Sequence, residues 1–182
     1  MNRLVETSPT KGYEMNDERY FRARWGKLLI IISTLISIFL LVIFSAIAFS
    51  ERTTTVTAMA LYLAMPLLII FVSLLFTVRG YTVSGNTLRI KRLLWNTNID
   101  IGMLSTVECD PKAMTGSIRT LGNGGLFSFS GRYRSGKFGS FRAYVTDFKN
   151  CVIIKASGQI TVVSPENPEL FREILLKRQW SE

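Results

Sequence analysis

The sequence contains no histidine and only two cysteines. Histidine is the usual general base near neutral pH and the commonest metal ligand, so its absence removes the most frequent basis for acid–base catalysis or a metal site. Cys109 and Cys151 form no CxxC pair, and two soft ligands do not complete a tetrahedral zinc site. We therefore expect no metal and no cofactor, and we expect both cysteines to be reduced, small, buried residues.

Charge is also missing from two long apolar runs. The first, residues 28–50, would form a helix of roughly 33 Å, enough for a bilayer core of about 30 Å. The second covers residues 56–78 and contains Pro66, which a membrane helix tolerates when neighbouring groups satisfy the freed carbonyl. With a polar link of only residues 51–55 between them, the runs predict an antiparallel hairpin of two transmembrane helices.

A cleavable signal peptide is the alternative for the first run, because Ala46-Ile47-Ala48 resembles a cleavage site. The run is longer than the roughly 7–15 apolar residues of a signal core, and a long charged tail precedes it. Both features favour a retained membrane helix.

Basic residues flank both runs on their outer sides and predict the orientation. The link between the runs offers only Arg52, beside Glu51. Both termini should therefore be cytoplasmic. In the N-terminal tail, residues 1–27, we expect disorder to about Asn16, followed either by a short amphipathic helix over 17–25 at the membrane surface or by a solvated, positively charged flank.

Residues 79–182 carry most of the positive charge, with fifteen basic and eight acidic residues. Here the hydrophobic pattern changes to short alternations broken by turn residues, as in Tyr81 and Val83 before Gly85-Asn86. Repeated along the segment, this pattern predicts about seven short strands. Asn167-Pro168 then starts an amphipathic helix. We expect a mainly-β barrel capped by this C-terminal helix.

The glycine-rich stretch 122–147 comes close to a phosphate-binding loop, because Gly131, Gly136 and Lys137 have the Walker spacing. Position 138, however, is Phe, which cannot bind magnesium. The following residues alternate like a strand, so no helix N-terminus would point at a phosphate. We interpret the stretch as a long β-hairpin that turns near residues 135–137, with glycines where the backbone bends or approaches closely.

This stretch, GNGGLFSFSGRYRSGKFGSFRAYVTD, resembles the signature of a bacterial pleckstrin-homology (PH)-like domain family. The similarity extends to Tyr81-Thr82-Val83 and to Val162-Val163-Ser164-Pro165, so that it covers about residues 80–178. The resemblance implies a PH-like barrel with a C-terminal helix, preceded by a membrane segment, in a bacterial inner membrane. It implies no catalytic residues, because such domains are binding or assembly modules.

Our first functional hypothesis is a non-enzymatic, membrane-anchored module that binds another membrane or cytoplasmic protein, or copies of itself. Aromatic and arginine side chains are enriched at interfaces, and the hairpin offers them at Arg132, Tyr133, Arg134, Lys137 and Arg142. The alternative is a domain that binds anionic lipid at the inner leaflet through basic residues near the membrane. These residues are Arg79, Arg89, Lys91 and Arg92. No acidic pair has a catalytic spacing, and no nucleic-acid motif is present, so we expect neither an enzyme nor a nucleic-acid-binding protein.

Overall fold

The computed structural model describes residues 18–50 and 56–179. The predictions for the tail up to Asn16 and for the link 51–55 lie outside these residues. Two helices come first, α1 (Lys27–Ser50) and α2 (Val56–Leu75). Helix α2 ends before the predicted position 78, because Val78 is fully buried in the core of the following domain.

Among the described residues, α1 is the one helix that is long and apolar enough to cross a membrane. Only about 11% of its most apolar window is buried, whereas the core helix of a soluble domain would be mostly buried. The shorter apolar stretch described in α2 is Ala60–Leu75. Both helices expose large apolar side chains, such as Phe39 and Phe71.

Residues 19–22 form a strand and not the amphipathic helix weighed for residues 17–25. This strand, β1 (Arg19–Arg22), pairs antiparallel with β2 (Gly80–Ser84). The pairing is favourable because β1 buries Phe21, whose ring meets Phe171 edge-on at 5.0 Å. A strand that precedes α1 therefore completes a sheet made by residues that follow α2.

The described residues form ten strands in two sheets, and not the closed barrel of about seven strands that the sequence predicted. The remaining strands are β3 (Thr87–Lys91), β4 (Asn96–Asp100), β5 (Leu104–Cys109), β6 (Ile118–Gly124), β7 (Phe129–Ser135), β8 (Gly139–Val145), β9 (Val152–Ala156) and β10 (Gln159–Val163). The first sheet has the order β1-β2-β3-β4, and the second has the order β5-β9-β10-β8-β7-β6. In the second sheet β8 and β10 run parallel, and the other neighbours are antiparallel.

The second sheet buries apolar residues on both faces. Toward the first sheet it contributes residues such as Val152, Ile154 and Val163. On the other face, Phe141, Ala143 and Val145 of β8 pack together, as their alternation predicted. This second cluster also contains Leu29 and so extends to the beginning of α1. Helix α1 is thus packed against the β-domain at its N-terminal end.

The C-terminal helix α3 (Pro168–Gln179) begins at the predicted proline. Phe171 and Leu175 are buried in the core between the sheets, and Ile174 is half-buried. Leu170, which the sequence placed on the same apolar stripe, is 48% exposed. The helix therefore covers the core, as predicted, but its buried apolar stripe is narrower than the sequence indicated because it excludes Leu170.

The glycine-rich stretch forms part of a three-stranded meander, β6-β7-β8, whose first strand was not predicted. Gly122 of β6 and Gly131 of β7 face each other, both with positive φ. A Cβ atom on either glycine would collide with the backbone of the opposite strand. Close backbone approach therefore explains these two glycines, as the hairpin interpretation predicted.

Candidate functional site

The segment between β1 and α1 is bound to the β-domain by backbone hydrogen bonds. The Ala23 N–H donates to the Arg79 carbonyl (3.1 Å), and the Gly26 N–H donates to the Thr146 carbonyl (2.9 Å). The Thr146 hydroxyl donates to the Arg24 carbonyl (2.8 Å). A Cβ atom on Gly26 would lie 2.7 Å from the carboxylate of Asp147, so any other residue there would have to displace that side chain. Helix α1 consequently leaves the domain from a fixed position.

The turn between β6 and β7 contacts both helices. Its Phe127 N–H donates to Ser33 Oγ (2.9 Å), and Ser33 Oγ donates to the Gly125 carbonyl (3.0 Å). The Ser128 hydroxyl donates to the carbonyl of Phe76, just after α2 (3.2 Å). A serine within the apolar run of α1 thereby satisfies two backbone groups of the turn, as buried polar backbone requires.

The turn between β3 and β4 lies beside the end of α2 and exposes apolar side chains. Leu93 and Leu94 are 47% and 70% exposed. The neighbouring Trp95 ring meets the Phe76 ring edge-on at 5.0 Å. We call residues 93–95 the apolar turn. Tryptophan beside the end of an apolar helix is typical of the membrane interface.

A groove lies between this turn, the end of α2 and the segment before α1. It has a volume of about 570 Å³. Its basic side chains are Arg22, Arg24 and Arg79, and its apolar side chains include Trp25, Leu74 and Leu93. We call it the basal groove. A lining that combines basic and apolar side chains fits an amphipathic anion.

A second recess, of about 400 Å³, adjoins the basal groove and shares Arg22 and Arg79 with it. Its other lining residues are Tyr20, Lys91, Arg92 and Asn96. Strand pairing produces this cluster, because the register places Arg22 and Lys91 on either side of Gly80. The two cavities therefore form one continuous basic surface at the base of the helices.

The basic groups of this surface differ in their partners. Arg24 forms an ion pair with Glu166 (2.8 Å). Arg92 stacks over the rings of Trp95 and Tyr144, and burial lowers the pKa of its guanidinium. Within residues 18–50 and 56–179, the guanidinium groups of Arg22 and Arg79 form no hydrogen bond or ion pair. These two charges are therefore available to an external anion.

The structure brings together three of the four residues that the sequence predicted to face lipid, namely Arg79, Lys91 and Arg92. Arg89 lies on the same strand as Lys91, two residues away, and contacts Glu18 at 3.6 Å. Arg22 was not predicted to face lipid, because the pairing of β1 with β2 was not predicted. The sequence signal for β1 was a period-two alternation, in which Phe21 is buried and its neighbours Tyr20 and Arg22 are exposed.

The residues predicted as a protein-interaction surface do not form one patch. Tyr133 is only 4% exposed, and its hydroxyl donates to the Asn123 carbonyl (3.1 Å). Lys137 forms an ion pair with Asp110 (2.8 Å), which lowers the pKa of that carboxyl group. Arg134 is exposed. The remaining two residues of the set, Arg132 and Arg142, face each other directly across β7 and β8.

Some buried polar groups of the domain have structural partners, whereas the buried hydroxyls of Thr77 and Thr82 have none among the residues that the structure describes. The Tyr81 hydroxyl donates to the Tyr144 carbonyl (2.6 Å) and accepts from the Ser164 N–H (3.1 Å). Cys109 and Cys151 are free thiols, and burial raises their pKa to about 11 and about 12. Cys109 is half-buried and not fully buried as predicted. In the part of the chain that the structure describes, no group of three or more acidic or cysteine side chains is arranged to hold a metal ion.

Comparison with known proteins gives one match. A family model described as "Bacterial PH domain" matches residues 79–179, more than half of the chain. Searches of curated proteins and of solved structures found no match. The matched region contains β2 to β10 and α3, whereas β1 and both apolar helices precede it.

Proposed function

Since this chain belongs to the bacterial PH domain family, we propose that it is a non-enzymatic membrane module whose basal groove binds the headgroup of an anionic phospholipid. PH-like domains are binding modules, and the fold alone does not specify the ligand. The observation that carries the proposal is the pair of unpartnered guanidinium groups, Arg22 and Arg79, in a groove at the base of two apolar helices.

We infer that α1 and α2 both cross the membrane as a hairpin, with both termini in the cytoplasm. The support is the pairing of β1 with β2, because one strand precedes α1 and the other follows α2. The chain thus enters and leaves the helical region on the same side. The excess of basic residues on that side favours the cytoplasm of a bacterial cell. A C-terminal reporter enzyme that became active only outside the cytoplasm would contradict this topology.

In this orientation the basal groove lies at the level of the lipid headgroups. The apolar turn and Trp25 would contact the boundary of the hydrocarbon region, where tryptophan is favourable. The phosphate would lie between Arg22 and Arg79, and the glycerol and upper acyl chain would pack on Leu74 and Leu93. Each basic residue near an anionic leaflet contributes about 1 kcal/mol.

Native mass spectrometry of the full chain in detergent micelles, titrated with phosphatidylglycerol or phosphatidylcholine, tests the proposal. We expect preferential retention of phosphatidylglycerol. The double variant Arg22→Gln/Arg79→Gln should weaken this binding roughly 30-fold, since two contributions of about 1 kcal/mol are lost. The matched control Arg134→Gln/Lys177→Gln removes the same charge from exposed positions outside the groove. Equal retention by wild type and the groove variant would refute the proposal.

Our earlier hypothesis, binding of another protein or of a second copy, remains a proposal and concerns a different part of the domain. The observation that favours it is the opposed pair Arg132 and Arg142, both outside the basal groove.

A further inference from the structure

The two sheets leave a polar cleft open between them, away from the beginning of α1. The cleft has a volume of about 270 Å³. One side is the free edge of β4, at Asn98 and Asp100, and the other side is the second sheet, at Arg142, Gln159 and Thr161. Thr146 is bound to the segment that precedes α1. Arg142 lies four residues before Thr146, which corresponds to about 13 Å along a strand. This cleft, which we call the distal cleft, is therefore separate from the basal groove.

Two arginines meet beside the distal cleft. Arg132 of β7 and Arg142 of β8 are direct cross-strand partners, an arrangement in which like charges repel. In the described part of the chain, neither guanidinium forms a hydrogen bond or an ion pair. The acidic residue of the cleft, Asp100, accepts the Gly102 N–H through Oδ1 (2.9 Å). An anion bound between the two arginines would relieve their repulsion.

The edge of β4 offers backbone groups next to these charges. In an antiparallel pair, every second residue directs its N–H and C=O away from the partner strand. In the pair of β3 and β4, the Ile101 N–H donates to the Asn86 carbonyl. By alternation, the backbone groups of Ile99 also point toward β3. The backbone groups of Asn98 and Asp100 therefore point outward, away from the sheet. An extended peptide can add to such an edge as a new strand.

We propose that the distal cleft binds an extended acidic segment of a partner protein. The segment would add to the free edge of β4 as a fifth strand of the first sheet, and its carboxylates would pair with Arg132 and Arg142. Arginine forms bidentate, charge-assisted hydrogen bonds with carboxylates, so acidic side chains fit this pair better than neutral ones. This proposal does not depend on lipid binding in the basal groove.

The test uses the full chain in detergent micelles and fluorescence anisotropy of three labelled probes. These are a peptide of alternating glutamate and threonine, the same peptide with lysine in place of glutamate, and a single-stranded oligothymidine of equal charge. We expect the acidic peptide to bind and the lysine peptide not to bind. Arg132→Gln/Arg142→Gln should weaken binding of the acidic peptide roughly tenfold or more, because the charge-assisted hydrogen bonds are lost. The charge-matched control Arg22→Gln/Arg79→Gln should bind it like wild type.

Hydrogen exchange of the wild-type chain supplies a second measurement that needs no variant. We expect the acidic peptide to slow exchange of the Asn98 and Asp100 amides, because strand addition pairs these groups. Unchanged affinity of Arg132→Gln/Arg142→Gln, or unchanged exchange of both amides at saturating peptide, would overturn the proposal. Equal binding of the oligothymidine with the same dependence on Arg132 and Arg142 would also overturn it, since the site would then recognise polyanions and not a strand.

Discussion

Replacement of Ser33 by alanine should detach the turn between β6 and β7 from helix α1. The Ser33 hydroxyl accepts the Phe127 N–H (2.9 Å) and donates to the Gly125 carbonyl (3.0 Å). Alanine leaves both backbone groups without this partner, in a position that water reaches poorly because Ser33 is only 3% exposed. Phe127 also has a positive φ of 64°, a strained conformation that the docked turn must maintain.

The expected magnitude follows from these two hydrogen bonds. An unsatisfied buried backbone group costs about 1–3 kcal/mol, so two groups lower the free energy of local opening by about 2–6 kcal/mol. Since about 1.4 kcal/mol corresponds to a factor of ten, the equilibrium should shift toward the open turn by about 30-fold or more. The global stability should change less, because the strands on either side keep their own pairing.

Hydrogen–deuterium exchange of the full chain in lipid nanodiscs measures this effect at the Phe127 amide. Ser73→Ala is the matched control, because Ser73 is a serine of the other apolar helix whose hydroxyl donates only to the Ile69 carbonyl of its own helix (2.8 Å). We expect faster exchange at Phe127 in Ser33→Ala and unchanged exchange in Ser73→Ala. Identical exchange in both variants and wild type would refute the role assigned to Ser33.

Three further predictions concern the β-domain. Gly131→Ala should destabilise the domain by several kcal/mol in chemical denaturation, because its Cβ would collide with the opposite strand, whereas Gly136→Ala, with open space around it, should be neutral. Cys109 and Cys151 should react slowly with iodoacetamide at pH 8 until the chain is denatured. Their pKa values of about 11 and about 12 leave on the order of a thousandth or less of each thiol as reactive thiolate. Alkylation at the rate of a free thiol would contradict this. Tyr81→Phe should lower the free energy of unfolding by about 1–3 kcal/mol, since a buried carbonyl and a buried N–H lose their partner; an unchanged denaturation midpoint would contradict it.

The local patterns of the sequence predicted most elements correctly. The uncharged run before residue 50 predicted α1, and period-two alternation predicted hairpins such as β2-β3 and β9-β10. These patterns succeed because the burial of each residue in them is decided by neighbours a few positions away. Strand β6 was missed because six of its seven residues are exposed and its glycines break any alternation.

The candidate sites were less accessible from sequence. Arg79, Lys91 and Arg92 were predicted to act together because they are close in the chain, and the structure places them around one recess. Tyr133 was predicted on a surface but is buried, because its position on β7 directs the ring toward Phe141. A hairpin pattern shows which residues share a face, but it does not show which face the core will cover.

By itself, the sequence determined that this chain has a long uncharged run that forms a helix, a run of short strands and a C-terminal amphipathic helix. Uncharged length and hydrophobic period are local properties that fix these features. Only the tertiary structure decided that β1 completes the sheet of β2, which places Arg22 beside Arg79, and that Arg132 opposes Arg142. Such contacts depend on strand register and on the two helices, which bring the chain back to the sheet that β1 joins. A strand of four residues carries too little pattern to specify a partner strand about sixty residues away.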